Sequence, residues 1–156
     1  MDFEAVYGKY GDMLFRTAFM YTGDSHSAED ILQDVFIAYF TSKKYFESEE
    51  HRKAWLIRVT HNKCINYLRA PSRKNIDIDE LQLIREEKDT DTRLDILKQI
   101  AALPPSYKSV IILHYYNDYS VEEIARILKI TKSAVKMRLK RGRDTLKIQL
   151  EDTENE

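Results

Sequence analysis

Glycine and proline are scarce in this chain, with four and three among 156 residues. That leaves too little punctuation for a fold of many short strands, and no run shows sustained period-two alternation. Cysteine is scarcer still. Cys64 is alone, which excludes an intramolecular disulfide and points to a reducing compartment. No apolar stretch approaches the length that spans a bilayer, and the acidic, mixed N-terminus lacks a signal-peptide pattern. His26, His51, His61 and His114 show no ligand spacing, and there is no glycine-rich phosphate loop, so a metal-dependent nuclease has no support. These absences leave the expectation of a soluble, cytoplasmic, all-α protein, with no catalytic residues, metal site or cofactor and no membrane insertion of its own.

What the chain does have is locally sorted charge. The formal net charge of −1 hides a run at residues 132–147 with seven basic groups and one acid, and a tail at 151–156 with four acids and no base. A chain neutral overall but basic in one place suits contact with DNA at chosen points. The basic run sits in a recognisable setting. Ser120 and Glu123 have the spacing of a capping box, and Ile124, Ala125 and Leu128 follow on one helical face. Lys129-Ile130 breaks the pattern, and Thr131 can cap a second helix whose buried side is Val135, Leu139, Gly142 and Leu146. Two helices, a tight turn and a basic second helix form a helix-turn-helix suited to the major groove.

On that second helix Ser133, Met137 and Lys140 point directly away from Val135 and Leu139, with Lys136 and Arg141 beside them. These are the candidates for base edges. Lys132, Arg143 and Lys147 lie nearer the buried side and suit phosphates. Arg138 flanks the core, where either a phosphate or an ion pair with Glu122 or Glu123 is open to it. A plain solvated face would mix signs to gain i,i+4 pairs, and this helix carries only Asp144 against its cations.

Helices are expected elsewhere at Phe3 to Tyr21 (Val6, Tyr10, Leu14 and Ala18 inward, stopping at Gly23), at Ser27 to about Phe40 with Ser27 as cap, and at Arg52 to Arg69. After Ala70-Pro71 the stretch 71–92 turns polar and acidic and reads as a linker, with room for a helical turn at Leu81–Ile84. Two more helices, Thr92 to Ala102 and Ser106 to Tyr116, flank Leu103-Pro104-Pro105. The expected organisation is two small helical domains, 1–70 and 93–150, joined by the linker 71–92 and followed by the acidic tail 151–156. A flexible linker of that length has a root-mean-square span of roughly 25 Å, enough for two domains to reach separate DNA elements.

Two segments of the first domain stand out. In Ala28 to Tyr39 the inward side is Ala28, Ile31, Leu32, Val35 and Tyr39, and the opposite side is Asp30, Gln33, Asp34 and Ile37. That side is either an ordinary solvated face or a docking stripe for a basic partner. From Arg52 to Arg69 five Lys/Arg and no acid are interleaved with Trp55, His61 and Tyr67. Cations that track phosphates, with rings that stack on unpaired bases, suit a single strand; Trp55 and Tyr67 as simple core residues is the other reading.

The four patterns together resemble the extracytoplasmic-function (ECF) sigma factors of the bacterial sigma-70 family, over nearly the whole chain. Ala28-Glu29-Asp30-Ile31-Leu32-Gln33-Asp34-Val35-Phe36 matches one family motif, and Trp55-Leu56, Val59, Asn62 and Arg69 a second. Leu103-Pro104, Tyr107-Lys108 and Val110 match a third, and Ser120 through Leu146 a fourth. Thr60 stands where the family has a small Ala, Asn66 where it has Asp, and Gly142 where Ala is commoner. Asn66 is expected to alter a local polar contact, and Gly142 to cost the helix roughly 0.5–1 kcal/mol relative to Ala.

The resemblance implies a promoter-specificity subunit of RNA polymerase and not an enzyme. It implies docking of Asp30, Gln33, Asp34 and Ile37 on the clamp helices of the largest core subunit. It implies a base pocket in the loop from Lys44 to Arg52, and a single-strand path along Lys53, Trp55, Arg58, Asn62 and Lys63. The second domain would read the minus-thirty-five element as duplex and touch the polymerase flap, and an anti-sigma protein would be a further partner. A free-standing helix-turn-helix regulator with an N-terminal dimerisation domain is the alternative, and it leaves the two N-terminal motifs without a use.

Overall fold

A computed structural model describes residues 2–70 and 91–146, the side chains of 91–94 excepted. The chain divides into two compact units, Met1–Gln82 and Leu83–Glu156. Every regular element among the described residues is helical. None of these helices is long and apolar enough to cross a membrane. Most of the expected linker, its turn at 81–84, Lys147 and the acidic tail lie outside the described residues.

The first unit holds α1 (Phe3–Thr22), α2 (Ser25–Ser42) and α3 (Glu49–Arg69). Asp2 caps α1, its carboxylate accepting from the Ala5 amide at 2.9 Å. Gly23 ends it in the left-handed region, at a φ of 72° that side chains disfavour. The cap of α2 is Asp24 and not Ser27. Asp24 follows the Gly23 reversal in extended backbone, so its carboxylate already faces the His26 amide. Ser27 instead donates its hydroxyl to Asp24 at 2.5 Å and meets the Tyr67 hydroxyl at 3.0 Å, tying α2 to the end of α3. Helix α3 starts three residues before Arg52, capped by Ser48, with Glu49 and Glu50 in the first turn where the helix dipole favours acids.

The core of this unit is Val6, Tyr10, Leu14 and Ala18 against Ile31, Leu32, Val35 and Phe36, closed by Leu56, Ile57 and Cys64. Phe36 is a core residue that the expected inward side of α2 omitted, and Tyr39 is only half-buried. Thr60 is fully buried where a smaller residue would fit, and its hydroxyl is satisfied by the Leu56 carbonyl at 2.8 Å. Buried as well, the Tyr21 hydroxyl and His61 Nδ1 stand 2.5 Å apart. Burial pushes the His61 pKa down to about 4.

The second unit holds α4 (Asp91–Ala101), α5 (Pro105–Ile111), α6 (Val121–Leu128) and α7 (Lys132–Thr145). Pro105 occupies the first turn of α5, where its missing N–H is no loss. The rod expected to end at Tyr116 does so, but its last turn, Ile112–Tyr116, is widened into a π-helix. The capping box of α6 forms as expected: Ser120 Oγ accepts from the Glu123 amide at 3.1 Å, and the Glu123 carboxylate from the Ser120 amide at 2.9 Å. Lys129 turns the chain in the left-handed region and Thr131 caps α7. Val110, Ile111, Leu113 and Ile124 bury the inner side of α7, which is Val135, Leu139, Gly142 and Leu146 at its end. Gly142 has a reason that helix propensity does not show. A Cβ there would stand 2.9 Å from Ile111 Cγ1 and 3.1 Å from its Cδ1. The glycine lets α7 close on α5.

Two outcomes follow from the packing. Between pH 4 and 6.5 the unfolded chain binds a proton at His61 that the folded one does not. Stability from this group is therefore full above pH 6.5 and falls as pH drops towards 4, by up to about 3 kcal/mol. Urea unfolding of His61→Asn should show a flatter pH dependence over that window than the parent. Gly142→Ala gains roughly 1 kcal/mol in helix propensity but meets overpacking worth about 1–3 kcal/mol. A lower urea midpoint is expected; a higher one would mean that Ile111 yields.

Candidate nucleic-acid and partner interfaces

On α7, Ser133, Met137, Lys140 and Arg141 are exposed opposite the buried Val135, Leu139 and Gly142, with Lys136 exposed at their side and Lys132 exposed nearer the buried side. Met137 is 45% exposed at the centre of that outer face. Lys140 pairs with Asp144 at 3.2 Å, an exposed contact worth little. Lys132, Lys136 and Arg141 have no ion-pair partner among the described residues. Arg138 is half-buried and pairs with neither Glu122 nor Glu123, whose carboxylate closes the α6 cap. Arg143 turns inward: its Nη1 donates to the Tyr115 hydroxyl at 3.2 Å, fixing α7 to the π-helical turn.

On α3 the expected single-strand residues do not all share one surface. At 100° per residue, Trp55, Arg58 and Asn62 fall in one sector and Lys53 in the opposite one. Arg58, Asn62 and Lys53 are exposed, Lys63 is half-buried, and Lys44 is exposed in the loop before the helix. Trp55 is half-buried, its ring edge-on to Tyr39 at 6.0 Å and to Phe46 at 5.8 Å, so it is part core and part surface. Tyr67 is half-buried against Ser27.

Arg52 is occupied within the fold. Its Nη1 donates to both Glu49 oxygens at 2.8 and 2.9 Å, its Nε to the Tyr39 hydroxyl at 3.1 Å, and its guanidinium lies over the Phe46 ring. Glu49 also accepts from the Tyr10 hydroxyl at 2.9 Å and faces Lys9 at 3.8 Å. The Arg52 hydrogen bonds hold the Glu49 carboxyl below its usual range, and burial beside Glu49 pushes the Tyr10 phenol up to about 12. One carboxylate thus joins α1, α2 and α3. The i,i+3 spacing of Glu49 and Arg52 was its only sign in the sequence.

The four stripe residues of α2, Asp30, Gln33, Asp34 and Ile37, are exposed while Ile31, Leu32 and Val35 beneath them are buried. Ile37 is 60% exposed, and one turn on Phe40 is 62% exposed, resting on the Phe3 ring at 5.3 Å. Phe40 continues the stripe and was missed by the sequence reading, although it lies at i+3 from Ile37. Grooves flank this ridge. One, of about 400 Å³, is lined by Tyr7, Phe15, Leu32 and Gln33; the other, of about 490 Å³, by Asp30, Asp34, Lys63 and Tyr67. Asn66 lines the second groove as well, exposed at the position where a contact was expected to change.

Both units match known families. Residues 6–74 match the family described as Sigma-70 region 2, and residues 93–146 the family described as Sigma-70, region 4. The RNA polymerase sigma factor SigV of Bacillus subtilis is 31% identical over 140 residues, covering 87% of this chain and 83% of that protein. The chain belongs to the sigma-70 family. Its relatives place it in the ECF group: the ECF RNA polymerase sigma factor SigW of Bacillus subtilis is 29% identical over 92% of this chain and 86% of that protein. The fold agrees with two solved structures. CnrH, in complex with the cytosolic domain of CnrY, has a TM-score of 0.65 at 23% identity over 92% of this chain and 83% of that one. RpoE from Bartonella quintana, with the anti-sigma factor NepR, has a TM-score of 0.66 at 21% identity over 91% and 94%. The free-standing regulator is not favoured, because region 2 and region 4 are both present in the family order.

Proposed function

We propose that this chain is an ECF-type sigma factor working in the cytoplasm, which binds core RNA polymerase and directs promoter recognition and opening, with no catalytic turnover of its own. The observation that carries the reading is the α2 ridge in the same chain as a basic helix-turn-helix. Acidic and polar Asp30, Gln33 and Asp34 run along the ridge beside two grooves and are followed by exposed Ile37 and Phe40, over a buried underside. A pair of basic helices with apolar contacts, such as the polymerase clamp, would straddle it. A duplex-binding regulator has no use for such a ridge. Asp30, Gln33, Asp34 and Ile37 form the docking set, extended by Phe40.

In the same reading, Trp55, Arg58, Asn62 and Lys63, with Lys44 of the loop, hold the opened minus-ten strand. Lys53 follows the backbone from another side, and Arg52 supports the site without facing it. The outer face of α7, Ser133, Lys136, Met137, Lys140 and Arg141, reads the minus-thirty-five duplex. Lys132 and Arg138 suit flanking phosphates, as does Lys147. Arg143 serves chiefly as an anchor. Residues 1–70 and 93–150 act on separate elements, joined through 71–92, and the second domain also meets the flap. An anti-sigma protein is the natural restraining partner, by analogy with the partners named for CnrH and RpoE.

Transcription by purified core polymerase, with and without this chain, on fragments upstream of its own gene tests the whole reading. Promoter-dependent initiation only in its presence is expected. Tight dimeric operator binding by the free protein, without core binding, would sink it.

Two variants separate the parts. Asp34→Lys with Ile37→Glu should sharply lower affinity for core polymerase while circular dichroism and melting stay nearly unchanged, since both side chains are exposed. Normal core binding by this variant would make the ridge a solvated face. Lys136→Ala or Arg141→Ala should weaken use of the upstream element by roughly 1–3 kcal/mol if the side chain is bidentate to a base. If replacing the upstream element leaves that penalty unaltered, the outer face of α7 is assigned wrongly.

A further inference from the structure

Helix α2 carries its surface chemistry in a graded order. Glu29, Asp30, Gln33 and Asp34 are exposed along its first half, Ile37 and Phe40 along its second, and Lys43 and Lys44 just past its end. Asp30 meets the exposed His26 at 3.7 Å, a contact worth little. Glu29, Asp34, Lys43 and Lys44 have no ion-pair partner among the described residues. Lys43 turns the chain in the left-handed region at a φ of 53°, and the Lys44 amide donates to Ser42 Oγ at 3.2 Å, so both lysines stay at the helix end. Opposite charges thus sit at opposite ends of one rod, with exposed apolar side chains between them.

The side of that rod nearest α1 has a knob and a hollow. At 100° per residue, Gln33 and Phe40 fall within about 20° of each other, both on the α1 side of Ile37. Phe40 stands out from the surface, resting on the Phe3 ring. Seven residues earlier, Gln33 borders the groove of about 400 Å³ whose apolar wall is Tyr7, Phe15 and Leu32. Tyr7 is itself 45% exposed there. Knob and hollow therefore share one side of α2 and lie before and after Ile37 along its length. A two-fold axis crossing α2 close to Ile37 makes such a surface complementary to itself. It runs two copies of the helix antiparallel and brings each Phe40 to the groove of the other copy. It also sets Glu29 and Asp30 of each copy beside Lys43 and Lys44 of the other. A parallel pairing would set acids against acids.

We propose that, away from polymerase, the α2 ridge pairs with the ridge of a second copy of this chain in an antiparallel, two-fold arrangement, so that the dimer and the polymerase-bound chain exclude each other. Ile37 and Phe40 otherwise stand in water in the free chain, and a second copy matches them in both shape and sign of charge. The exclusion rests on the reading of this ridge as the polymerase docking set; the pairing itself does not. Every contact occurs twice by symmetry, so one substitution removes two.

Sedimentation equilibrium of the full chain at low salt, over a range of concentrations, measures the pairing. A reversible monomer–dimer equilibrium is expected, weakened at high salt because its charge pairs lie at the rim. Phe40→Ala should raise the dimer dissociation constant about tenfold or more, the usual loss at a buried aromatic anchor. One chain with Glu29→Lys and Asp30→Lys, and another with Lys43→Glu and Lys44→Glu, should each stay monomeric where the parent is dimeric. An equimolar mixture of the two should dimerise again, since each reversed acid then meets a reversed lysine and each native lysine a native acid. Phe40→Ala in both members should weaken that mixture as it weakens the parent. Core polymerase added to the labelled parent dimer should yield a complex holding one copy of the chain, read by sedimentation velocity.

A monomer at every concentration, or reversed chains that dimerise like the parent, overturns the pairing. So does a mixture of the two reversed chains that stays monomeric. Assembly that runs past the dimer means a contact that does not close on itself, and overturns the two-fold arrangement. A dimer carried intact onto core polymerase overturns the exclusion. Asp34→Lys with Ile37→Glu keeps the two readings apart. If it abolishes the dimer and leaves core binding normal, the pairing stands and the docking set is wrong. If it abolishes core binding and the parent is monomeric throughout, the docking set stands and only this inference fails.

Discussion

Among the described residues, the helices turn an apolar side inward, and the core of their own unit consumes it. That constraint governs the rest of the structure. Val6, Leu14, Val35 and Leu56 leave no exposed surface in the first unit, and Val110, Ile124 and Val135 leave none in the second. Cores this small have little apolar area in reserve. The outer sides are consequently free to differ in charge without affecting the fold, and they do differ. The outer side of α2 is acidic with exposed Ile37 and Phe40, while that of α7 is basic around Met137. Packed helices present such faces on rigid rods, which is what docking to another protein and to a duplex both require.

Where a loop instead of a helix face has to be held in shape, polar contacts take over. Glu49 accepts hydrogen bonds from Tyr10 on α1 and Arg52 on α3, and Arg52 passes the constraint to Tyr39 on α2 and Phe46 in the loop. The guanidinium holds both partners at once, Nη1 on the Glu49 carboxylate and Nε on the Tyr39 hydroxyl, and the single ammonium of a lysine lacks that fixed planar set of donors. The aromatic box of Tyr39, Phe46 and Trp55 supplies the apolar half of the same joint. The second unit solves its own positioning problem with sterics. Gly142 lets α7 approach Ile111, and the Arg143–Tyr115 hydrogen bond and the Thr131 cap hold the basic helix at either end.

Much of this was legible in the sequence, because it depends on local chemistry. The capping box at Ser120 and Glu123, the Thr131 cap and the stop at Gly23 use backbone groups within one helical turn, so spacing alone fixes them. The exposed side of α2 and the outer side of α7 follow from a 3.6-residue period with one apolar stripe. The all-helical class follows from the same periodicity and the scarcity of glycine and proline. The family motifs ordered these pieces along the chain, and the matches to region 2 and region 4 agree with that order.

The rest required knowing what each side chain meets at a distance in sequence. Asp24 displaced Ser27 as the cap of α2 because the Gly23 reversal aimed its carboxylate at the first turn. Arg52 looked like a DNA contact among five cations, but its partners include Tyr39, thirteen residues earlier, and the Glu49 that Tyr10 reaches across thirty-nine. Gly142 looked like a helix defect until Ile111, thirty-one positions before it, was seen to fill the space of a Cβ. Lys53 and Asn62 belong to one basic segment, yet helix geometry sends them opposite ways. Sequence by itself determined the helices, their caps and the sign of charge on each outer face, since those are set by neighbours within a turn or two. Tertiary structure decided which charged and aromatic groups stay available to a partner and which hold the fold together, since a side chain already bonded across the core has nothing left to offer outside it.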